Sequence, residues 1–295
     1  MMGEAAVDPR TLNAGPDFTI DQGWDRYTAE DHATWDRLYK RQCDLLPGLA
    51  APEFIDGLER LDLGRGGVPN FEAISDELEK LTGWRVVAVP CLVPDAIFFE
   101  HLANKRFPAG NFIRKPDQLD YIQEPDVFHD VFGHVPLLAQ PVFADYMQAY
   151  GEGGLRSLGF DRLKALAALY WYTVEFGLIN TKEGMRIYGA GIVSSRTESI
   201  FSLRGTSPNR IHFDLERVMR TDYRIDDFQQ SYFVIDSYDE LFHATVDTDF
   251  KELYERLGPD FNYTPVDVLD ADKVYQRGDQ AYANAGGRKA NAEPV

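Results

Sequence analysis

Cysteine is nearly missing from this chain: Cys43 and Cys91 are the only two among 295 residues, and no CxxC pair occurs. A disulfide framework and a thiolate metal site are therefore not expected, and both thiols read as reduced. Basic residues are also in short supply, with 30 Lys and Arg against 48 Asp and Glu and a formal charge of −18. Such a surface repels phosphate backbones and anionic lipid, which removes nucleic acid and membranes from the expected partners. No apolar run reaches the ~18 to 20 residues needed to cross a bilayer, and residues 1–20 lack the basic start and apolar core of a secretory signal. A cytoplasmic protein is expected. Fixed-period repeats and low-complexity blocks are absent as well.

What is present suits one large domain. With 44% apolar residues the chain can bury a substantial core, and no internal linker divides it. Residues 1–25 mix Gly, Pro, Asp and Asn and read as a loosely held lead-in, residues 26–277 as the catalytic domain, and residues 278–295 as a flexible tail. Helical periodicity runs from Ala29 to about Leu49, with Trp35, Leu38, Tyr39 and Leu45 on one stripe, and again over Ala51–Leu61 and Asn70–Leu81. Arg85–Val89 is a short β-branched strand, Pro94–Leu102 a helix, and Phe107–Arg114 an extended run. Asp161 is placed to cap a long apolar helix containing Glu175. A Gly-rich turn at Gly189-Ala190-Gly191, a helix near Ser195–Leu203 and a strand at Tyr232–Ile235 follow. The expected fold is mainly α, a single helix-rich domain with small peripheral strands.

Histidine is scarce too, at six, yet two stand five apart in Pro125-Asp126-Val127-Phe128-His129-Asp130-Val131-Phe132-Gly133-His134-Val135-Pro136. On an unbroken α-helix they would lie ~140° apart and could not share a small ion. The expectation is that the helix ends between them, with Gly133 in a left-handed turn and Pro136 forbidding continuation. Glu175 sits among Tyr170, Trp171, Tyr172, Val174 and Phe176, so its carboxylate is expected to be buried. A buried anion needs a partner, either a cation or an arginine such as Arg196 or Arg204. Two imidazoles and one carboxylate make a facial site that leaves three positions open on iron. Zinc is the chemical competitor, but the HExxH spacing of many zinc hydrolases is absent, and where a 2-oxoglutarate oxygenase would have His-x-Asp, His129 is followed at position 131 by Val131.

These residues, together with Leu45-Leu46-Pro47-Gly48, Thr82-Gly83-Trp84, Phe107-Pro108, Phe112-Ile113-Arg114, Trp171 through Gly177 and Ser194-Ser195, give a chain that resembles the pterin-dependent aromatic amino acid hydroxylases, most closely the short bacterial phenylalanine 4-hydroxylases. The similarity covers about Tyr27 to Leu257. It implies ferrous iron on His129, His134 and Glu175. It implies a substrate carboxylate on Arg114, with Ser194 beside it, and a substrate ring near Trp171 and Phe176. A tetrahydropterin would lie near Val93, Phe98 and Asp130. The implied reaction converts L-phenylalanine and dioxygen to L-tyrosine, the first step of phenylalanine catabolism, with two electrons from the pterin. Tyrosine hydroxylases carry an acid at the position of Val234, so its apolar side chain favours phenylalanine, with tryptophan as the weaker alternative. No stretch matches the regulatory domain or tetramerising helix of animal relatives, so a monomer is expected.

Overall fold

The computed structural model describes residues 13–287 apart from 121 and 123. Parts of the expected lead-in and tail, 1–12 and 288–295, lie outside the described residues. The first helix, α1 (Ala29–Leu45), begins at a capping box in which Thr28 and Asp31 satisfy each other's backbone N–H. It stops short of Leu49 because Pro47 has no backbone N–H with which to continue the helical ladder after Leu46. Next come α2 (Pro52–Arg60) and α3 (Phe71–Leu81), the latter capped by Asn70. Strand β1 (Arg85–Val89), α4 (Asp95–Ala103) and β2 (Arg106–Gly110) form a crossover, since β1 and β2 pair in parallel from Arg85 with Arg106 to Val89 with Gly110. The extended run after Arg106 is thus a strand with a partner that its sequence did not announce.

A helical segment, π-wound at Phe128–His134, continues without a break into α5 (Val135–Leu138). Pro136 falls in the first turn of α5, a place helices accept proline. After α6 (Pro141–Ser157) comes α7 (Leu163–Tyr170), which widens into a second π-turn at Trp171–Glu175. Asp161 does not cap α7: the residue before the helix is Arg162, which makes no side-chain cap. Strands β3 (Leu178–Thr181) and β4 (Gly184–Ile187) form a hairpin, and α8 (Ala190–Val193) starts inside the expected Gly-rich turn. The rest is α9 (Arg196–Arg204), β5 (Asn209–His212), α10 (Leu215–Met219), β6 (Ser231–Ile235), α11 (Tyr238–Val246), α12 (Phe250–Arg256), β7 (Val274–Gln276) and the single turn α13 (Ala281–Asn284).

Helices dominate, as expected, but the strands assemble into a five-stranded sheet in the order β4-β3-β6-β5-β7. Its centre is parallel, and every residue of β6 is buried, as a strand covered on both faces must be. The largest core joins α1 and α2 to the histidine segment: Trp35 meets Phe128 edge-on at 5.2 Å, Phe128 stacks on Phe132 at 4.7 Å, and Phe54 meets Phe132 at 5.7 Å. Each such ring contributes roughly 1.5–3 kcal/mol when removed from water. Beyond Gly278, Tyr282 packs on Phe201 and Phe228 and its hydroxyl donates to Asp227, so the tail's described portion is docked.

Candidate metal centre

The two histidines come together by widening the helix, not by ending it. In a π-turn the hydrogen bonds run from i to i+5, which brings residues five apart onto one side. Gly133 is not left-handed; its role is space. A Cβ there would stand 2.9 Å from the Ala190 carbonyl oxygen, so the bare glycine lets α8 lie against the histidine segment. Glu175 ends the second π-turn, where the Phe176 N–H donates to the Trp171 carbonyl 2.9 Å away. Gly189 makes room for that end of the helix, since a Cβ would come within 2.4 Å of the Glu175 carbonyl oxygen.

The three side chains meet at one point. His129 and His134 Nε2 are 3.3 Å apart, His134 Nε2 is 3.2 Å from Glu175 Oε1, and His129 Nε2 is 3.5 Å from Glu175 Oε2. Among the described residues Glu175 has no arginine partner; it is met by the two rings and by the Gly191 N–H. Ser194 Oγ donates to the Ala190 carbonyl at 2.7 Å, so at 3.0 Å it accepts from His129 Nδ1–H. That hydrogen bond sets the tautomer with the Nε2 lone pair facing the centre. His134 is positioned by packing, between Phe107 at 5.0 Å and Tyr170 at 6.2 Å, and its buried Nδ1 has no hydrogen-bond partner among the described residues.

Burial drives the His129 imidazole down to about 4, so it is neutral at pH 7. Burial pushes Glu175 the other way, but the imidazoles and the Gly191 N–H outweigh it and hold the carboxyl below its ordinary value. A carboxylate with imidazole lone pairs around it is short of positive charge, and a divalent cation fits that donor set. Side-chain exposures of 19% for His129 and 14% for Glu175, against 4% for His134, show that the cluster opens on one side.

A profile of the biopterin-dependent aromatic amino acid hydroxylase family matches residues 24–276. The chain belongs to this family. It is 63% identical over 292 residues to a phenylalanine-4-hydroxylase of Caulobacter vibrioides, covering 99% of both chains, and 59% identical over 264 residues to that of Chromobacterium violaceum, covering 90% of this chain and 89% of the relative. A crystal structure of the Chromobacterium violaceum phenylalanine hydroxylase with iron and phenylalanine bound superposes with a TM-score of 0.86 at 55% identity, over 90% of this chain and 99% of that one. Another, with iron(III) and 7,8-dihydrobiopterin, gives 0.86 at 56% identity over 92% and 100%.

The other positions that the resemblance singles out lie as follows. Trp171 lies tilted against Phe176 at 4.8 Å and stacks on Tyr223 at 4.9 Å, and its indole N–H donates to Gln229 Oε1 at 3.0 Å. Phe98 stands edge-on to Tyr170 at 5.6 Å, one ring removed from His134, and Val93 is half-buried in the loop between β1 and α4. Asp130 accepts the Gly110 N–H at 2.7 Å, and burial pushes its carboxyl up to about 7.

Arg114 is buried, which excludes a surface role. Its Nε and Nη2 clasp Asp126 at 2.8 and 2.7 Å, which occupies the side-on edge of the guanidinium; Nη1 makes one long hydrogen bond, to the Leu119 carbonyl at 3.4 Å, so the end-on Nη1/Nη2 edge keeps donor capacity. Asp126 also accepts the His129 N–H at 3.1 Å and thereby links Arg114 to the metal cluster. Sequence reasoning missed Asp126, although the argument that singled out Glu175, an acid beside Val127 and Phe128 in an apolar block, applies to it equally. Tyr223 and Gln229 carried no local signal; they reach Trp171 only through the fold.

Proposed function

We infer that the chain hydroxylates L-phenylalanine to L-tyrosine with dioxygen and a tetrahydropterin, with ferrous iron held by His129, His134 and Glu175. The observation that carries this reading is the convergence of two Nε2 atoms and a carboxylate, with one ring's tautomer set by Ser194. When bound, ferrous iron and the reduced pterin supply the electrons that cleave dioxygen. The chain's own residues do the positioning. Three protein donors on one side leave the opposite side of the ion for small ligands.

Arg114, locked by Asp126, offers its end-on edge to the amino acid carboxylate. Trp171 and Phe176 provide flat apolar walls for the substrate ring, so that orientation is set before reaction. Val93, Phe98 and Asp130 form the pterin side. Val234 is buried between Leu178 and His212 in the sheet, which leaves an apolar position where tyrosine hydroxylases have an acid. Residues 26–277 are taken as the catalytic domain. Cytoplasmic residence is proposed because a two-cysteine chain needs no oxidising compartment; no described helix is long and apolar enough to cross a membrane.

Ferrous iron is added anaerobically to apoprotein, followed by phenylalanine, a synthetic tetrahydropterin and air, and the product is identified by chromatography. Tyrosine in step with phenylalanine consumed is the expected result. Activity restored by zinc without oxygen or pterin would replace this reading with a hydrolase.

A further inference from the structure

A second set of metal-type donors lies at the carboxyl ends of the parallel strands, in residues that take no part in the centre described above. His212 closes β5, Asp236 directly follows β6, and Glu240 lies in the first turn of α11. His212 Nε2 is 3.0 Å from Asp236 Oδ2 and 3.6 Å from Glu240 Oε1, and one ligand atom from each residue lies within 4.8 Å of the others. These separations match those of the His129, His134 and Glu175 donors. The carboxyl ends of parallel strands are also where open sheets place ligands.

The atoms turned away from the shared point are engaged. His212 Nδ1 donates to the Phe213 carbonyl at 2.7 Å, which turns Nε2 toward the two acids; in the metal-free protein Nε2 donates to Asp236 Oδ2 at 3.0 Å, and an ion would take the place of that proton. Asp236 Oδ1 accepts from the Tyr275 hydroxyl at 3.0 Å and the Asn180 amide at 3.3 Å. Glu240 Oε2 accepts the Asp236 N–H at 2.6 Å. The His212 ring is steadied by Tyr275, nearly parallel at 6.0 Å. Outer partners of this kind orient metal ligands and sharpen affinity. One cation of the chain competes: Lys273 Nζ lies 3.7 Å from Asp236 Oδ2.

We propose that His212, Asp236 and Glu240 form a second divalent-cation site, suited to zinc, that ties the ends of β5 and β6 to the start of α11. One nitrogen and two carboxylate oxygens, with an accessible side left for water, suit zinc at bond lengths of about 2.0–2.2 Å. Solvent-facing exposure of Asp236 lets the ion enter without opening the core.

The test uses iron-loaded protein under anaerobic conditions. Zinc sulfate is added, the protein is desalted, and both metals are counted per chain. One zinc beyond fully retained iron is expected, with a raised melting midpoint. His212→Gln and Asp236→Asn should each weaken zinc binding by at least about ten-fold while leaving iron content and tyrosine formation as in the parent protein. Lys273→Met should tighten it, because the competing ammonium is gone. Should the first two variants lose their melting transition, Glu240→Gln, whose amide oxygen can still accept the Asp236 N–H, replaces them. The proposal is overturned by no zinc beyond the iron, by zinc gained only as iron is lost, or by unchanged zinc affinity in these variants.

Discussion

Asp126 and Glu175 are both carboxylates withdrawn from water around His129, yet they are neutralised in opposite ways. Asp126 is clasped by the buried Arg114 guanidinium and accepts two backbone N–H groups, from Arg114 and His129, so its charge is answered by the chain itself. Burial works to raise its carboxyl, but the arginine overrides this and holds it below the ordinary value. Glu175 faces two imidazoles, one of them neutral, and no arginine. The first acid is answered by the chain itself, whereas the second stands where the proposed cation would sit.

The largest expected effect breaks this contrast outright. Glu175→Gln removes the only carboxylate of the three proposed ligands, so iron content should fall and tyrosine formation should drop to background, while the metal-free protein keeps its fold and loses less stability than Asp126→Ala, since Glu175 has no arginine to strand. Denaturant melts with and without iron, alongside turnover, decide it; full activity with bound iron would refute the ligand assignment. Asp126→Ala should behave in the reverse sense. It strands the Arg114 charge and should lower stability by about 3–5 kcal/mol even without metal, visible as a shifted urea midpoint.

A smaller change separates ring orientation from ligand identity. Ser194→Ala deletes the acceptor for His129 Nδ1–H and should weaken iron retention by roughly 10–100-fold with the fold intact, as measured by competition with a chelator. Equal iron affinity in the variant would show that packing alone sets the tautomer. Gly133→Ala should be the mildest of the four, at roughly 1–3 kcal/mol, as the new methyl pushes Ala190 away. Its thermal midpoint should fall while part of the activity survives; an unchanged midpoint would mean that the close approach of α8 does not matter.

Arg114 sharpens the same contrast from the substrate side. Replaced by alanine, it should raise the phenylalanine concentration needed for half-maximal rate, but it should also destabilise the protein by leaving Asp126 unpaired. A rise in KM with unaltered stability would contradict the clasp seen here.

The residues that carry the chemistry were legible because their types are rare and their neighbours apolar. Two histidines of six stand in one short block, and Glu175 interrupts a run of aromatic and aliphatic side chains. Helices α1 to α4 could be read to within a few residues because Thr28 and Asn70 sit at the starts of apolar periods and prolines punctuate the ends. The manner in which the histidines meet was not legible. A helix that stops and a helix that widens both satisfy a spacing of five, and which one forms depends on α8 packing against Gly133, a contact with Ala190 that lies 57 positions along the chain.

On its own, then, the order of residues determined which side chains are available to bind a metal, which segments are helical, and which glycines and prolines constrain the backbone, because these depend on chemical type and local spacing. Only the tertiary structure decided that the ligand turns are π-wound, that one edge of Arg114 is already occupied by Asp126, that Ser194 orients His129 across 65 positions of sequence, and that scattered strands share one sheet. The physical reason is range. Hydrogen bonds and van der Waals contacts act over a few ångströms, so partners far apart in sequence acquire meaning only when folding brings them within reach.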